Sequence, residues 1–452
     1  MQLKWVKGVN EYLPDVQILR ERVMRVIRET FERFGFDPAE TPVLHHTEIL
    51  SSKYAGGAEI LKEMMRVAES EFRGAKRDLS LRYDLTVPFS LLIGINQKSL
   101  TLPFKRYEIG KVFRDGPIKR GRRMEFTQCD ADMVGAASVV ADAELIAIAD
   151  SVFGALELDA YAEVNHRKLL SAIILEAGVP EAAMPGAILA LDKLKKIGRD
   201  GVEAELREKG VHETACAKLF EWLGHEGAAD EKLGYLESQL SSEPALAALA
   251  ETRAYLDAMR ALKIKMEVRF EPTLARGLEI YTGPVFEFFL KDQNIISSSL
   301  GGGGRYDRII GQFLYPDKPR LHEQFPATGI SFGLEPITIA LLETRAAGDQ
   351  APIHTGVQAL VAPIGREMIN AALETGAALR KAGVRCEIAH YFVKLKKSLD
   401  HANKLNIPFV AIVGEDEAAQ SVLALRDMTN SQQETLPPDA AAKRILERCK
   451  ES

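Results

Sequence analysis

Eight cationic side chains fall between Lys105 and Arg123 (Lys105, Arg106, Lys111, Arg114, Lys119, Arg120, Arg122 and Arg123), against only Glu108 and Asp115, a local charge of +6. Clustered Lys and Arg of this density suit a polyanion. Arg114 at a strand end and Arg122 across a turn present two planar guanidinium forks able to grip phosphate oxygens from two sides. Phe126, on the return strand, offers a ring face to a heterocyclic base. A solvated hairpin tip is the plainer account of the same charges.

Two further segments carry chemical possibilities. Gly301–Gly304 precede Arg305, Tyr306 and Asp307; the spacing and lysine of a Walker phosphate loop are absent. Four glycines let a backbone approach a ligand or pack as a strand without side chains, but a flexible loop is the default reading. In LARGLEIYTG, Arg276 stands in a strand-like segment ahead of Gly277 and Tyr281. A charge there is either paired in the core or turned toward a ligand, because an unpaired buried charge is expensive. The nine histidines form no H-E-x-x-H pattern, and Cys129, Cys216, Cys386 and Cys449 have neither zinc nor disulfide spacing.

These residues need elements to hold them. Ile18, Leu19, Val23, Val26, Ile27 and Phe31 recur at helical spacing and predict an amphipathic helix over 15–34, ended by Gly35. FKRYEIGKVF and MEFTQCDADMV read as two strands of a β-hairpin with the basic turn at its tip. Residues 165–262 are rich in Ala, Leu, Glu and Lys and predict a helical insertion. Strands return in MEVRFEPTLARGLEIYTGPVFEFFL, and ATGISFGLEPITIALLE reads as a strand followed by a helix. A linker-like stretch at 343–356 leads to a β-α-β-α-β-β pattern over 357–452, a separate small α/β domain.

The whole chain bounds these readings. With 452 residues, 46% hydrophobic, 27% charged and a net charge of −6, it has the composition of a multidomain globular protein. A uniformly basic nucleic-acid coat is excluded, whereas a local patch is not. No run reaches the roughly 18 apolar residues of a membrane span, and the amino terminus lacks signal-peptide organisation. The expectation is a cytoplasmic protein that meets no membrane.

Taken in order, the segments resemble the class II aminoacyl-tRNA synthetases, and among them the histidyl-tRNA synthetase family. KGVNEYLP and the helix ending near Pro42 resemble the motif 1 dimer element, LRYDLTVP the amino-acid-binding loop, and KVFRDGPIKRGRRMEF with TQCDAD motif 2. ARGLEIYTG and GGGGRYD resemble the two histidine signatures, ATGISFGLE motif 3, LDKLKKIG with VEAEL the insertion, and KLKKSLDHANKLNIPFVAIVGEDE the anticodon-binding domain. The resemblance implies an α+β catalytic domain with an antiparallel sheet (1–164 and 263–342), interrupted by the helical insertion and followed by the α/β anticodon-binding domain. It implies a homodimer that activates L-histidine with ATP and Mg²⁺ and passes it to tRNA(His). By resemblance Arg114 and Arg276 hold the α-phosphate and the histidine carboxylate, Arg122 the ATP tail, and Phe126 the underside of adenine. Asp84, Thr86 and Gln128 then receive the α-ammonium group, and Asp132, Tyr281 and Tyr306 surround the imidazole. Pro336 stands where motif 3 carries an arginine for the γ-phosphate, Met124 where motif 2 often has a second arginine, and Ile280 where the second signature has a tyrosine. Pro336 is the best argument for an alternative, a histidine-binding regulatory or sensor paralogue, but the known representative of that class lacks the anticodon-binding domain, whose segments run complete here and favour the enzyme.

Overall fold

In the computed structural model, residues 3–51, 62–67, 70–72, 75–276, 280–347, 355–391 and 394–450 are described. They divide into two units, residues 1–10 with 22–348 and residues 11–21 with 349–452. Gly277 and residues 348–354 of the linker-like stretch lie outside the described residues.

The first unit is built on an eight-stranded sheet. Its strands are β1 (Asp37–Pro38), β2 (Phe104–Phe113), β3 (Glu125–Val134), β4 (Ala160–His166), β5 (Glu267–Phe270), β6 (Pro284–Leu290), β7 (Gly301–Arg305) and β8 (Ala327–Gly333). They lie in the order β1-β2-β3-β8-β7-β6-β4-β5. The pairs β1/β2 and β4/β5 are parallel and the rest antiparallel.

Alternation along each strand gives the sheet two unlike faces. One face carries Cys129 and Ala131 of β3, Ile330 and Phe332 of β8, and Phe286 and Phe288 of β6, all buried. Helices α1 (Pro14–Arg33) and α3 (Val139–Ala155) cover this face, with α2 (Thr86–Asn96) lying between them in sequence. Phe31 of α1 and Phe153 of α3 bring their rings to 6.1 and 5.6 Å from that of Phe332, and Phe153 meets Phe288 edge-on at 5.6 Å. Such aromatic pairs contribute about 0.5–1.5 kcal/mol each beyond the area they bury. On the other face, register sets Gln128, Asp130 and Asp132 beside Gly333, Ser331 and Gly329, and these beside Gly302 and Gly304.

Several expectations change in detail. The first helix stops at Arg33 and not near Pro42; Gly35 turns the chain at φ +77° and β1 follows. Gly301–Gly304 form a central strand instead of a flexible loop, and the rings of Phe332, Phe286 and Tyr281 and the Arg276 guanidinium fill the space that their side chains do not. β4 runs on to His166, so Asn165 and His166 belong to the sheet, and helix begins only at Arg167.

Six α-helices of the described chain lie between β4 and β5, from α4 (Arg167–Glu176) to α5 (Glu243–Ala261), with Met184–Leu191, Leu194–Glu208, Glu213–Leu223 and Ala229–Gln239 between. The third of these is broken at Gly198, whose φ is +71°. α5 is tied back to the sheet through Glu251, whose Oε2 lies 3.2 Å from Nε2 of buried His166 and 2.9 Å from Nζ of Lys168.

The second unit holds a five-stranded sheet of β9 (Ala359–Pro363), β10 (Cys386–Ile388), β11 (Phe409–Val413), β12 (Leu423–Asp427) and β13 (Gln433–Leu436), ordered β10-β9-β11-β12-β13. β9 pairs in parallel with β10 and β11, and the last two strands are antiparallel. Val361 and Ala411 face one core and Leu360 and Val410 the other, which is why these strands read as continuous apolar runs. A closing helix, Pro438–Lys450, extends the pattern read from sequence. Among the described residues no helix is long and apolar enough to cross a membrane.

The His166–Glu251 tie makes the insertion acid-sensitive. The hydrogen bond from His166, aided by Lys168, holds the Glu251 carboxyl at about 2 against an ordinary 4.5, and burial holds the His166 imidazole below 6.5. Both groups bind more protons unfolded than folded, so their contribution is complete above about pH 6.5 and falls on acidification. Glu251→Gln removes the part lost between pH 4.5 and about 2. Its urea midpoint should fall below the parent's near pH 6, and the gap should narrow near pH 3.

Candidate active site

A cavity of about 290 Å³ opens on the glycine-bearing face of the sheet. Nine of the ten residues singled out from sequence line it: Asp84, Thr86, Arg114, Phe126, Gln128, Asp132, Arg276, Tyr281 and Tyr306. Arg122 does not. It is exposed in the hairpin turn, where its backbone pairs with Lys119, close enough to Arg114 for the two charges to repel.

Arg114 leaves the end of β2 with its Nε–H donated to the Tyr83 carbonyl at 2.9 Å and its guanidinium 5.2 Å from the centre of the Phe126 ring. Among the described residues no carboxylate stands within ion-pair distance of it, so its charge faces the cavity. Asp84 precedes α2 and accepts the Val87 N–H at 3.2 Å. Burial pushes its carboxyl up to about 6, with that N–H and Arg114 pulling the other way. A cation placed against Asp84 would offset that burial cost.

Arg276 is both paired and turned toward the cavity. Its Nη1 lies 3.3 Å from the Phe286 carbonyl and 3.3 Å from Glu287 Oε1, while its guanidinium lines the cavity 5.5 Å from the Tyr281 ring. A side chain at Gly302 would overlap this guanidinium, so the glycine is what admits the arginine.

Asp132 is held by a buried relay. Its register partner across the hairpin is Arg106, whose Nη2 lies 3.1 Å from Asp132 Oδ2 and whose Nη1 lies 3.3 Å from Glu108 Oε2. Glu108 in turn meets Arg82 at 2.6 Å. Tyr306 donates its hydroxyl to the other Asp132 oxygen. Burial pushes both carboxyls above the ordinary range, with the Asp132 charge adding to it at Asp130 and the Glu108 charge adding to it at Asp132, and Arg106 opposes this at both.

The basic cluster is thus smaller than its sequence count. Arg106 is internal, at 1% exposure, and Lys105 pairs with Glu144, Lys111 with Glu125, and Arg120 with Glu343. Among the described residues, Arg114, Lys119, Arg122 and Arg123 have no ion-pair partner and remain for a ligand.

Asp130 and Ser331 also line the cavity and were not singled out from sequence, although the period-two row Gln128, Asp130, Asp132 carried the signal. The three departures find local reasons. Pro336 is buried in the first turn of α6 (Leu334–Ala347), where a missing N–H costs nothing, and its ring lies against Gly333. Met124 covers Gly8 and donates its N–H to the Gly8 carbonyl at 2.9 Å. Ile280 packs on Leu274, Tyr281 and Val285 at the cavity wall.

Cations at Arg114 and Arg276, together with acidic groups at Asp84, Asp130 and Asp132, suit a zwitterion carrying a further polar ring, and the free loop cations suit phosphates. Comparison with known proteins agrees. The family described as Histidyl-tRNA synthetase matches residues 8–337, and the anticodon binding domain matches residues 358–448. The chain is 42% identical to histidine–tRNA ligase 1 of Bacillus cereus, over 97% of this chain and 98% of that protein. It is 41% identical to histidine–tRNA ligase 2 of Shouchella clausii, over 96% and 99%. The crystal structure of histidyl-tRNA synthetase from Nostoc sp. PCC 7120 superposes with a TM-score of 0.85 at 28% identity, covering 99% of this chain and all of that one.

The relay predicts a pH-dependent lesion. Arg106→Leu leaves Asp132 buried without its cation, and breaking such a pair costs about 3–5 kcal/mol. Protonation of Asp132 relieves the penalty, so the loss in urea stability of the first unit should be smaller at pH 5 than at pH 8.

Proposed function

Since the chain belongs to the histidyl-tRNA synthetase family, we propose how its own residues carry out the ligation of L-histidine to tRNA(His). A histidine carboxylate oxygen attacks the α-phosphorus of ATP, the bond to the leaving pyrophosphate breaks, and histidyl-adenylate forms. The terminal ribose hydroxyl of the tRNA then displaces AMP. In the first step two anions meet, and the attacking carboxylate has no proton to lose, so the demand is for fixed positive charge. Arg114 and Arg276 supply it, and one such preorganised contact is worth about 3–4 kcal/mol of barrier. Phe126 lies under adenine, and Arg122, with the other free cations of the turn, meets the phosphate tail.

Asp84, Thr86 and Gln128 take the α-ammonium group. Asp132, set by Arg106 and Tyr306, accepts a ring N–H, with Tyr281 on the neighbouring wall. An apolar side chain would leave these groups unpaired, which discriminates by roughly 10⁴ or more. The observation that carries this reading is the pairing, in one cavity, of Arg114 and Arg276 with Asp84 and the Asp132–Tyr306 pair.

Among the described residues no three acidic, His or Cys side chains cluster as a metal cage. Mg²⁺ would be carried in chiefly by ATP phosphate oxygens and water, where it would neutralise phosphate charge. A homodimer is supported by the bare apolar side chains of Leu3, Trp5, Val6 and Leu44, each at least 44% exposed. Four free thiols suit the reducing cytoplasm. The regulatory-paralogue reading rests on Pro336, and the matched anticodon-binding domain weighs against it.

The purified chain should exchange pyrophosphate into ATP only with histidine and should charge histidine tRNA; histidine binding without either activity overturns the reading. Arg276→Ala should lower kcat for exchange by about 10²–10³ with tRNA retention on filters unchanged. Pro336→Arg should lower the KM for ATP; an unchanged KM assigns the γ-phosphate to the turn cations.

A further inference from the structure

Strand β3 directs alternate residues into the cavity, and Asp130 stands midway between Gln128 and Asp132. Asp132 has Arg106 and Tyr306. Asp130 has no such partner. It is 2% exposed, faces Glu108 on β2 and Ser331 on β8, and its Oδ1 makes no hydrogen bond among the described residues. The Ser331 hydroxyl bonds the Asp130 carboxylate and also accepts Nε2–H of Gln128 at 2.9 Å, which leaves Gln128 Oε1 buried and unpaired. The terminal nitrogens of Arg106 are already engaged by Glu108, Asp132 and the Leu85 carbonyl.

Adjacent inward positions of one strand thus present two buried acceptors without donors, in a cavity that also holds Asp84. An unmet buried acceptor is costly. What satisfies several at once is a compact cation with multiple N–H donors and no acceptor, the description of a primary ammonium group. A neutral ring N–H supplies a single donor and no charge. Resting on the histidine-activation reading above, we propose that Asp130 is a substrate-binding residue that receives the α-ammonium group together with Asp84 and Gln128. Two carboxylates then share one ammonium, and the ligand relieves the repulsion among Asp84, Asp130 and Asp132. The cavity selects for the ammonium group as stringently as for the ring.

The test uses the full chain and two probes, L-histidinol, which keeps the ammonium and lacks the carboxylate, and 3-(imidazol-4-yl)propionate, which keeps ring and carboxylate and lacks the ammonium. In titration calorimetry Asp130→Asn should weaken histidinol by about 10- to 100-fold, the loss of a charge-assisted hydrogen bond, and leave the propionate unchanged. Equal weakening of both probes, or no weakening of histidinol, overturns the proposal. Should the asparagine variant not fold, Asp130→Ser, smaller and unable to overpack, is read by the same two probes. Histidine-dependent exchange by the parent chain reports separately on the activation reading, so the two can fail independently.

Discussion

Asp132 stays inside the protein because Arg106 faces it across the β2–β3 ladder, and much else follows from that one cross-strand pair. Opposite charges on directly opposed residues fix the register of the hairpin, and register in a strand decides which face every side chain occupies. With Arg106 against Asp132, the residues Phe126, Gln128, Asp130 and Asp132 look into the cavity while Cys129 and Ala131 enter the core. A slip of one residue would bury the polar row under α1 and α3 and expose the apolar one. Glu108 and Arg82 extend the pair into a chain of alternating charge, so that no member is left uncompensated.

Space is the second half of the design. The ligand face is a sheet surface with side chains left out at Gly302, Gly304, Gly329 and Gly333. The same omission lets Arg276 lie across Gly302. Charge comes in from the rim at Arg114 and Arg276, and polarity from the floor at β3. Rigid strands hold both, which suits a reaction whose demand is charge placed before the transition state forms.

The sequence made local features legible and left non-local ones obscure. The hairpin, the first helix and the α/β unit follow from periodicity within ten or twenty residues. Nine cavity residues emerged from motifs, each of which carries its own spacing. Arg106 was misread as part of a phosphate patch because its partner Asp132 lies on the return strand and pairing is invisible in a charge count. Gly301–Gly304 read as a loop because glycine has no strand preference of its own; Phe286 and Phe332, from two other strands, make it one. Asp130 was passed over although the alternation pointed to it, since its lack of a partner exists only in three dimensions. Pro336 looked like a loss in the motif, and in the fold it is also a tightly packed helix start.

The order of strands in the sheet sets a timetable for synthesis. β3 and β8 are neighbours across the cavity floor, yet roughly 190 residues separate them in sequence, with the whole helical insertion and strands β4 to β7 between. At ribosomal rates of about 5–20 residues per second, one side of β3 waits on the order of ten to forty seconds for its mate. Throughout that interval the nascent chain carries an open strand edge next to a row of buried-to-be carboxylates, the kind of surface that invites misassociation. The cavity is therefore a late product of biogenesis, and a chain released before Gly333 has a hairpin and an insertion but nowhere to hold an amino acid.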